Sequence, residues 1–143
     1  MRLSARQPGL LLLLIGAASA FADERDVYFV THSQNAAELT PELLESAIHG
    51  RVRSWQTGEA IVVVLPGKKS PEQSAIAEQC FETSAAGLQR EWLRLVFSGR
   101  ANAPVYTDSP DQLAEHIKST PGTIGVTLTP PQEGEFHIHE ACR

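Results

Sequence analysis

Two histidines and two cysteines are the side chains of this chain best placed to do chemistry. His137 and His139 stand two apart in the segment Phe136-His137-Ile138-His139. On a strand that spacing puts both imidazoles on one face, where Glu135 or Cys142 would complete a site for zinc or copper. The pattern lacks a defined third ligand, and paired histidines on a surface strand are common, so the sequence predicts no metal. Cys80 and Cys142 form neither a CxxC redox motif nor a metal clip. In an oxidising compartment they would pair as a disulfide; otherwise Cys80 is a small apolar residue on a helix face, and both readings stay open.

Nucleophilic chemistry finds little support. His32 and Ser33 are adjacent, but neighbours on a strand point to opposite faces and cannot form a couple. The chain has no GxSxG elbow, no glycine-rich phosphate loop and no dinucleotide fingerprint. The acidic groups Asp23-Glu24 and Glu133 to Glu135 fall in terminal or turn segments and read as solvating charge. The sequence therefore predicts no catalytic residue and no cofactor, and the chain is read as non-enzymatic. Lys68-Lys69 is the only adjacent basic pair in a chain of net charge −5. That excludes broad nucleic-acid binding, which needs clustered cations to neutralise phosphates.

The beginning of the chain fixes the expected compartment. Arg2 and Arg6 precede the apolar run Leu10 to Ile15, and small residues follow in Gly16-Ala17-Ala18-Ser19-Ala20-Phe21-Ala22. This is the form of a secretory signal peptide over residues 1–22, with cleavage after Ala22 or after Ala20. Asp23, Glu24 and Arg25 arrive too soon for a retained span, which needs about 20 apolar residues. Cleavage after Ala22 removes two arginines and leaves ten basic against seventeen acidic side chains, a mature net charge of −7. The expected product is periplasmic, with no membrane span after cleavage. At 143 residues and 42% hydrophobic, the remainder from residue 23 to 143 suits one domain.

The elements that would position these groups follow from patterning. Asp26 to Thr31 is rich in strand formers and leads into the polar loop His32 to Asn35. Thr40-Pro41 starts a helix with Leu43, Leu44, Ala47 and Ile48 inward, and Gly50 stops it. Ile61 to Leu65 is a continuous apolar strand. Ser70-Pro71-Glu72-Gln73 and Ser109-Pro110-Asp111-Gln112 both have the form of a capping box, opening helices that carry Ile76 with Cys80 and Leu113 with Ile117. Between them a helix places Leu88, Trp92, Leu95 and Val96 on one stripe, widened by Leu93 and Phe97, and Gly99 closes it. Trp55, in a turn, is the aromatic left to line a pocket or a partner surface. Short extended pieces follow at Val105-Tyr106, Thr123 to Leu128 and Phe136 to His139. Strands alternating with helices predict an α/β fold, a three-layer sandwich with a mixed sheet.

The order of landmarks resembles a known family. The strand before Asn35, the helix ending Ala47-Ile48-His49-Gly50, Trp55 with Gly58 and Ile61, the stretch Trp92 to Phe97-Ser98-Gly99, Pro104, and Thr120-Pro121-Gly122-Thr123-Ile124-Gly125-Val126 look like the phosphate-binding proteins of bacterial ABC transporters. The resemblance spans residues 26–128 and implies one lobe of a type 2 periplasmic binding protein. It also implies a site. In that family an Arg and a Ser-Gly-Thr follow the strand equivalent to Ile61–Leu65, gripping the oxyanion with helix N-terminal amides and a guanidinium fork. Here the place reads Pro66-Gly67-Lys68-Lys69-Ser70-Pro71-Glu72.

The Arg is absent, Pro71 has no N–H to donate, and Glu72 brings negative charge close. Lys68, Lys69 and Ser70 are what remains to bind inorganic phosphate or another oxyanion, the lysines as point charges without the planar fork. Ser70 reads first as a helix cap. A single lobe cannot close over a ligand by hinge motion, so a homodimer or an envelope protein partner would supply the second wall. The expected function is an exported solute-binding-protein-like domain, linked to ABC transport or sensing through an oxyanion. The alternative is a periplasmic interaction module that kept the fold and lost the ligand.

Overall fold

Two uncharged apolar runs make the middle of the sheet. In the computed structural model, which describes residues 26–132 and 134–142, the strand β2 (Val62–Pro66) lies parallel to β4 (Thr123–Thr127), pairing Val63 with Ile124 and Val64 with Gly125. On the outer side of β2 runs β3 (Val105–Thr107), also parallel. On the outer side of β4 runs β1 (Tyr28–His32), antiparallel, and beyond it β5 (Phe136–Glu140), antiparallel again. The five-stranded sheet thus has the order β3-β2-β4-β1-β5 and is mixed. Residues 1–22, read as a signal peptide, lie outside the described residues.

Four helices complete the fold: α1 (Pro41–Ile48), α2 (Pro71–Phe81), α3 (Ala85–Phe97) and α4 (Pro110–Ser119). Each opens on a hydroxyl side chain, Thr40, Ser70, Ser84 or Ser109, that accepts a backbone N–H of the first turn. The connection from β2 to β3 and the one from β3 to β4 run in opposite directions along the sheet. Right-handed crossovers then put α2 and α3 on one face and α4 on the other. The two cores agree: Phe29, Val63, Leu65, Ile124 and Val126 pack with Leu44, Ile48, Ile76, Leu88, Trp92 and Leu95, whereas Val30 and Val64 pack with Leu113 and Ile117. A Cβ on Gly125 would stand 2.6 Å from Leu113 Cδ1, so the glycine is what lets α4 lie down on β4.

Cys80, near the end of α2, is bonded to Cys142 just after β5, their Cα atoms 5.1 Å apart. The bond ties the C-terminal strand to the face covered by α1, α2 and α3. No helix among the described residues is long and apolar enough to cross a membrane.

Three expectations are corrected. Trp55 lines no partner surface: it is 3% exposed and its Nε1–H donates to the Gly122 carbonyl at 3.0 Å, so its ring fills the core while its one polar atom is satisfied. Leu93 and Phe97 do not widen the inner stripe of α3, being 57% and 86% exposed, because the sheet and α2 cover only the flank that carries Leu88, Trp92 and Leu95. The stretch after β1, expected as a loop, is a short 3-10 helix (Ser33–Glu38), begun where the Gln34 N–H donates to His32 Nδ1.

Candidate functional site: the cleft at the carboxyl ends of the parallel strands

Strands β2 and β3 are neighbours whose outgoing connections leave for opposite faces of the sheet, and such a division opens a crevice beyond the strand ends. Here it is a cleft of about 670 Å³, with one wall formed by residues 66–70 and the other by 106–110. Val126 and Thr127 at the end of β4 and Leu113 of α4 close its base.

The wall after β2 is held by local and buried hydrogen bonds. The Gly67 N–H donates to the Thr107 carbonyl at 3.0 Å, and the Ser70 N–H to the Gly67 carbonyl at 2.8 Å, which makes a tight turn. Behind it Gln73 is fully buried, its Nε2 donating to the Pro66 carbonyl at 3.0 Å. Gln89 of α3 donates to Gln73 Oε1 at 3.0 Å and to the Lys68 carbonyl at 3.3 Å. A buried amide with partners on both sides fixes its surroundings strongly, because any displacement would leave polar atoms unpaired. The loop that carries Lys68 and Lys69 is therefore pinned from behind.

A capping box would have Gln73 reach back to the Ser70 N–H. The structure turns it inward instead, and Ser70 Oγ caps α2 alone, accepting the Glu72 N–H at 3.2 Å. The second box also departs from the pattern: Ser109 Oγ accepts the Gln112 N–H, and Gln112 Oε1 accepts the Asp108 N–H at 2.9 Å.

Lys68, Lys69 and Ser70 all line the cleft, so the three residues assigned to one site do share one. Their environment was not legible in sequence. Lys68 Nζ lies 5.0 Å from the centroid of the Tyr106 ring, an arrangement that attracts a cation to the ring face. Burial holds the Tyr106 hydroxyl above its ordinary pKa, keeping it a neutral donor. Glu72 and Asp108 bring two carboxylates to the same walls. Glu72 Oε1 accepts from Thr129 Oγ1 at 3.0 Å, and Asp108 Oδ1 sits where it would be 3.0 Å from a Cβ on Gly67.

Both helices that begin at the cleft have proline in the first position, and each cap takes one first-turn donor, the Glu72 N–H in α2 and the Gln112 N–H in α4. What the arrangement offers is two cations, two carboxylates, a phenol and an apolar floor. No histidine or cysteine is among its lining residues.

The histidine pair lies elsewhere. His137 and His139 share one face of β5 with ring centroids 4.5 Å apart, and His139 pairs with Phe29 across the ladder. The His139 pKa is lowered by burial and then by His137. Cys142 is committed to the disulfide and supplies no thiolate. Among the described residues no group of three or more His, Cys, Asp or Glu is placed to hold a metal ion. His139 instead lines a second hollow of about 610 Å³ between α1, α2 and β5, together with His49, Phe81 and the disulfide.

Among known proteins, no family model, curated protein or solved structure matches the chain. Tyr106 and Asp108 are among the cleft residues that the sequence alone does not assign to the site. Only the β2–β3 pairing, which joins segments some forty residues apart, brings them to the lysines.

Proposed function

We propose that this chain is an exported, non-enzymatic binding domain that works through the cleft at the ends of β2, β3 and β4, and that its occupant is a charge-balanced peptide segment of an envelope protein. The observation that carries this is the composition of the cleft: Lys68, Lys69, Glu72 and Asp108 all line it, together with apolar Leu113 and Val126. A site with both signs of charge and an apolar floor complements a chain segment that carries both signs, whereas a lone anion would meet two carboxylates there. The disulfide fits an oxidising compartment such as the periplasm, in keeping with the leader read at residues 1–22. The single sheet with helices on both faces is compatible with one lobe of a type 2 periplasmic binding protein, and a partner or a second copy would then supply the opposite wall.

A free oxyanion, phosphate above all, is the second reading, because Lys68, Lys69 and Ser70 do share the cleft. Calorimetric titration separates the two. With phosphate and sulfate we expect no isotherm at micromolar concentration. With labelled charge-balanced peptides we expect binding that Lys68→Ala/Lys69→Ala weakens by about 5- to 150-fold, the span expected for losing charge-assisted hydrogen bonds. Ser70→Ala should lower stability by about 1 kcal/mol with or without peptide, as a cap does. A micromolar phosphate isotherm abolished by the double lysine change would overturn the peptide reading in favour of the oxyanion.

A further inference from the structure

The outer face of α3 has an unusual composition for a soluble helix. Buried Leu88, Trp92 and Leu95 define its inner side, and helical geometry puts Arg90, Leu93, Arg94 and Phe97 together on the opposite one, three and four residues apart. Phe97 is 86% exposed and Leu93 57%, two of the three large apolar side chains that the described surface leaves open to solvent. Arg100 follows just past the helix end, and Arg53 joins the patch by donating from its guanidinium to the Gly99 carbonyl. Four of the five described arginines are thus gathered here, all exposed, in a chain of net charge −5. The only carboxylate bonded within the patch is Glu91, which is held below its ordinary pKa by its hydrogen bonds from Arg94.

We propose that this face docks the protein on an anionic lipid surface, with Phe97 and Leu93 entering the headgroup boundary and Arg53, Arg90, Arg94 and Arg100 meeting lipid phosphates around them. Apolar side chains flanked by arginines are what an interfacial helix presents, since the wedge gains by leaving water while the guanidinium groups stay at headgroup depth. The shape agrees. At 86% exposed, Phe97 stands out from the helix surface with Leu93 beside it, and neither lines the hollows at the strand ends, between α1, α2 and β5, or beside Pro130. A protruding knob needs a surface that yields around it, and a bilayer does. The acidic remainder of the molecule is repelled by the same lipids, which turns the arginine face toward them.

The test is co-sedimentation of the purified full chain with vesicles of phosphatidylcholine alone, or with about one-third phosphatidylglycerol, at about 0.05 and about 0.5 M salt. Residues 10–15 are apolar and common to every variant, so differences between variants are the readout. We expect binding to the anionic vesicles that high salt weakens, that Arg90→Glu/Arg94→Glu lowers by at least about 25-fold at some fivefold per arginine, and that Phe97→Ser lowers by tenfold or more. Phe97→Ser should leave thermal unfolding at the parent value, as Phe97 is 86% exposed, and Arg90→Glu/Arg94→Glu should lower it only slightly, since what is lost is the exposed Arg94–Glu91 ion pair. Equal binding of parent and variants, equal binding to neutral vesicles, or no binding at all would overturn the proposal. So would binding to poly-glutamate without vesicle binding, or self-association abolished by Phe97→Ser, each of which would assign the face to a protein.

Discussion

The two faces of the sheet are built to different standards. On one, three helices lie over a cluster of seventeen buried apolar residues among those described, Trp55 included, and the disulfide closes the edge. On the other, α4 alone rests on the strands, with Val30, Val64, Leu113 and Ile117 as the buried set. Apolar burial is the main favourable term in folding, so most of the stability belongs to the first face. The thin face borders the cleft: Leu113 is at once part of its small core and part of the cleft floor. A recognition site beside a lightly packed layer can adjust to an occupant at little cost to the fold.

Truncating one leucine on each face gives the sharpest contrast. Leu88→Ala, beneath α3, should destabilise by about 4–5 kcal/mol, near the top of the range for enclosed leucines, while Leu113→Ala should cost about 2–3, because its site opens to the cleft and water or a shifted α4 relieves the cavity. Urea unfolding of both variants measures the gap, and equal losses would show that α4 is packed as firmly as the helices opposite. Breaking the Cys80–Cys142 bond comes next. Reduction should lower stability by about 2–4 kcal/mol, since a bond closing a loop of 62 residues restricts the unfolded chain. Alkylation without reductant should label neither cysteine, and the loss should be the same in the Leu113→Ala background, as the bond lies on the other face.

The smallest effect is a pH dependence confined to the well-packed face. His49 stacks near Phe81, ring centroids 4.9 Å apart, and its pKa is lowered first by burial and then by Arg51. His139, in the same hollow, is lowered too. A histidine with a lowered pKa binds fewer protons folded than unfolded, so stability is unaffected well above the ordinary value of 6.5 and falls as the pH drops through and below it. We expect Tm to decline between about pH 7 and pH 5, and His49→Gln to flatten part of that decline. Parallel curves for parent and variant would place the acid sensitivity on another group.

Local hydrogen bonding made much of the fold legible in advance. Thr40-Pro41, Ser70-Pro71 and Ser109-Pro110 each open a helix where the sequence places one, because a cap and the proline φ act within four residues. Gly50 and Gly99 end helices at positive φ, as only a residue without a Cβ does readily. The apolar run of β2 marked a strand buried on both faces, since such a strand has no polar side to show, whereas the central place of β4, with Thr123 and Thr127 at its ends, is seen only in the sheet.

What the sequence could not decide is everything that depends on which neighbour arrives. Helical periodicity says that Leu88, Trp92, Leu93, Leu95 and Phe97 lie around one helix, but only the packing of α3 determined that Leu93 and Phe97 face water. The turn holding Trp55 is local, yet its burial is settled by a hydrogen bond to Gly122, 67 residues away. The lysines after β2 are plain in the chain, while Tyr106 and Asp108 reach them only because β3 pairs beside β2. Capping and strand propensity act through bonds a few residues long and can be read along the chain. Burial and charge pairing act through space, and their partners are fixed only when the sheet is ordered.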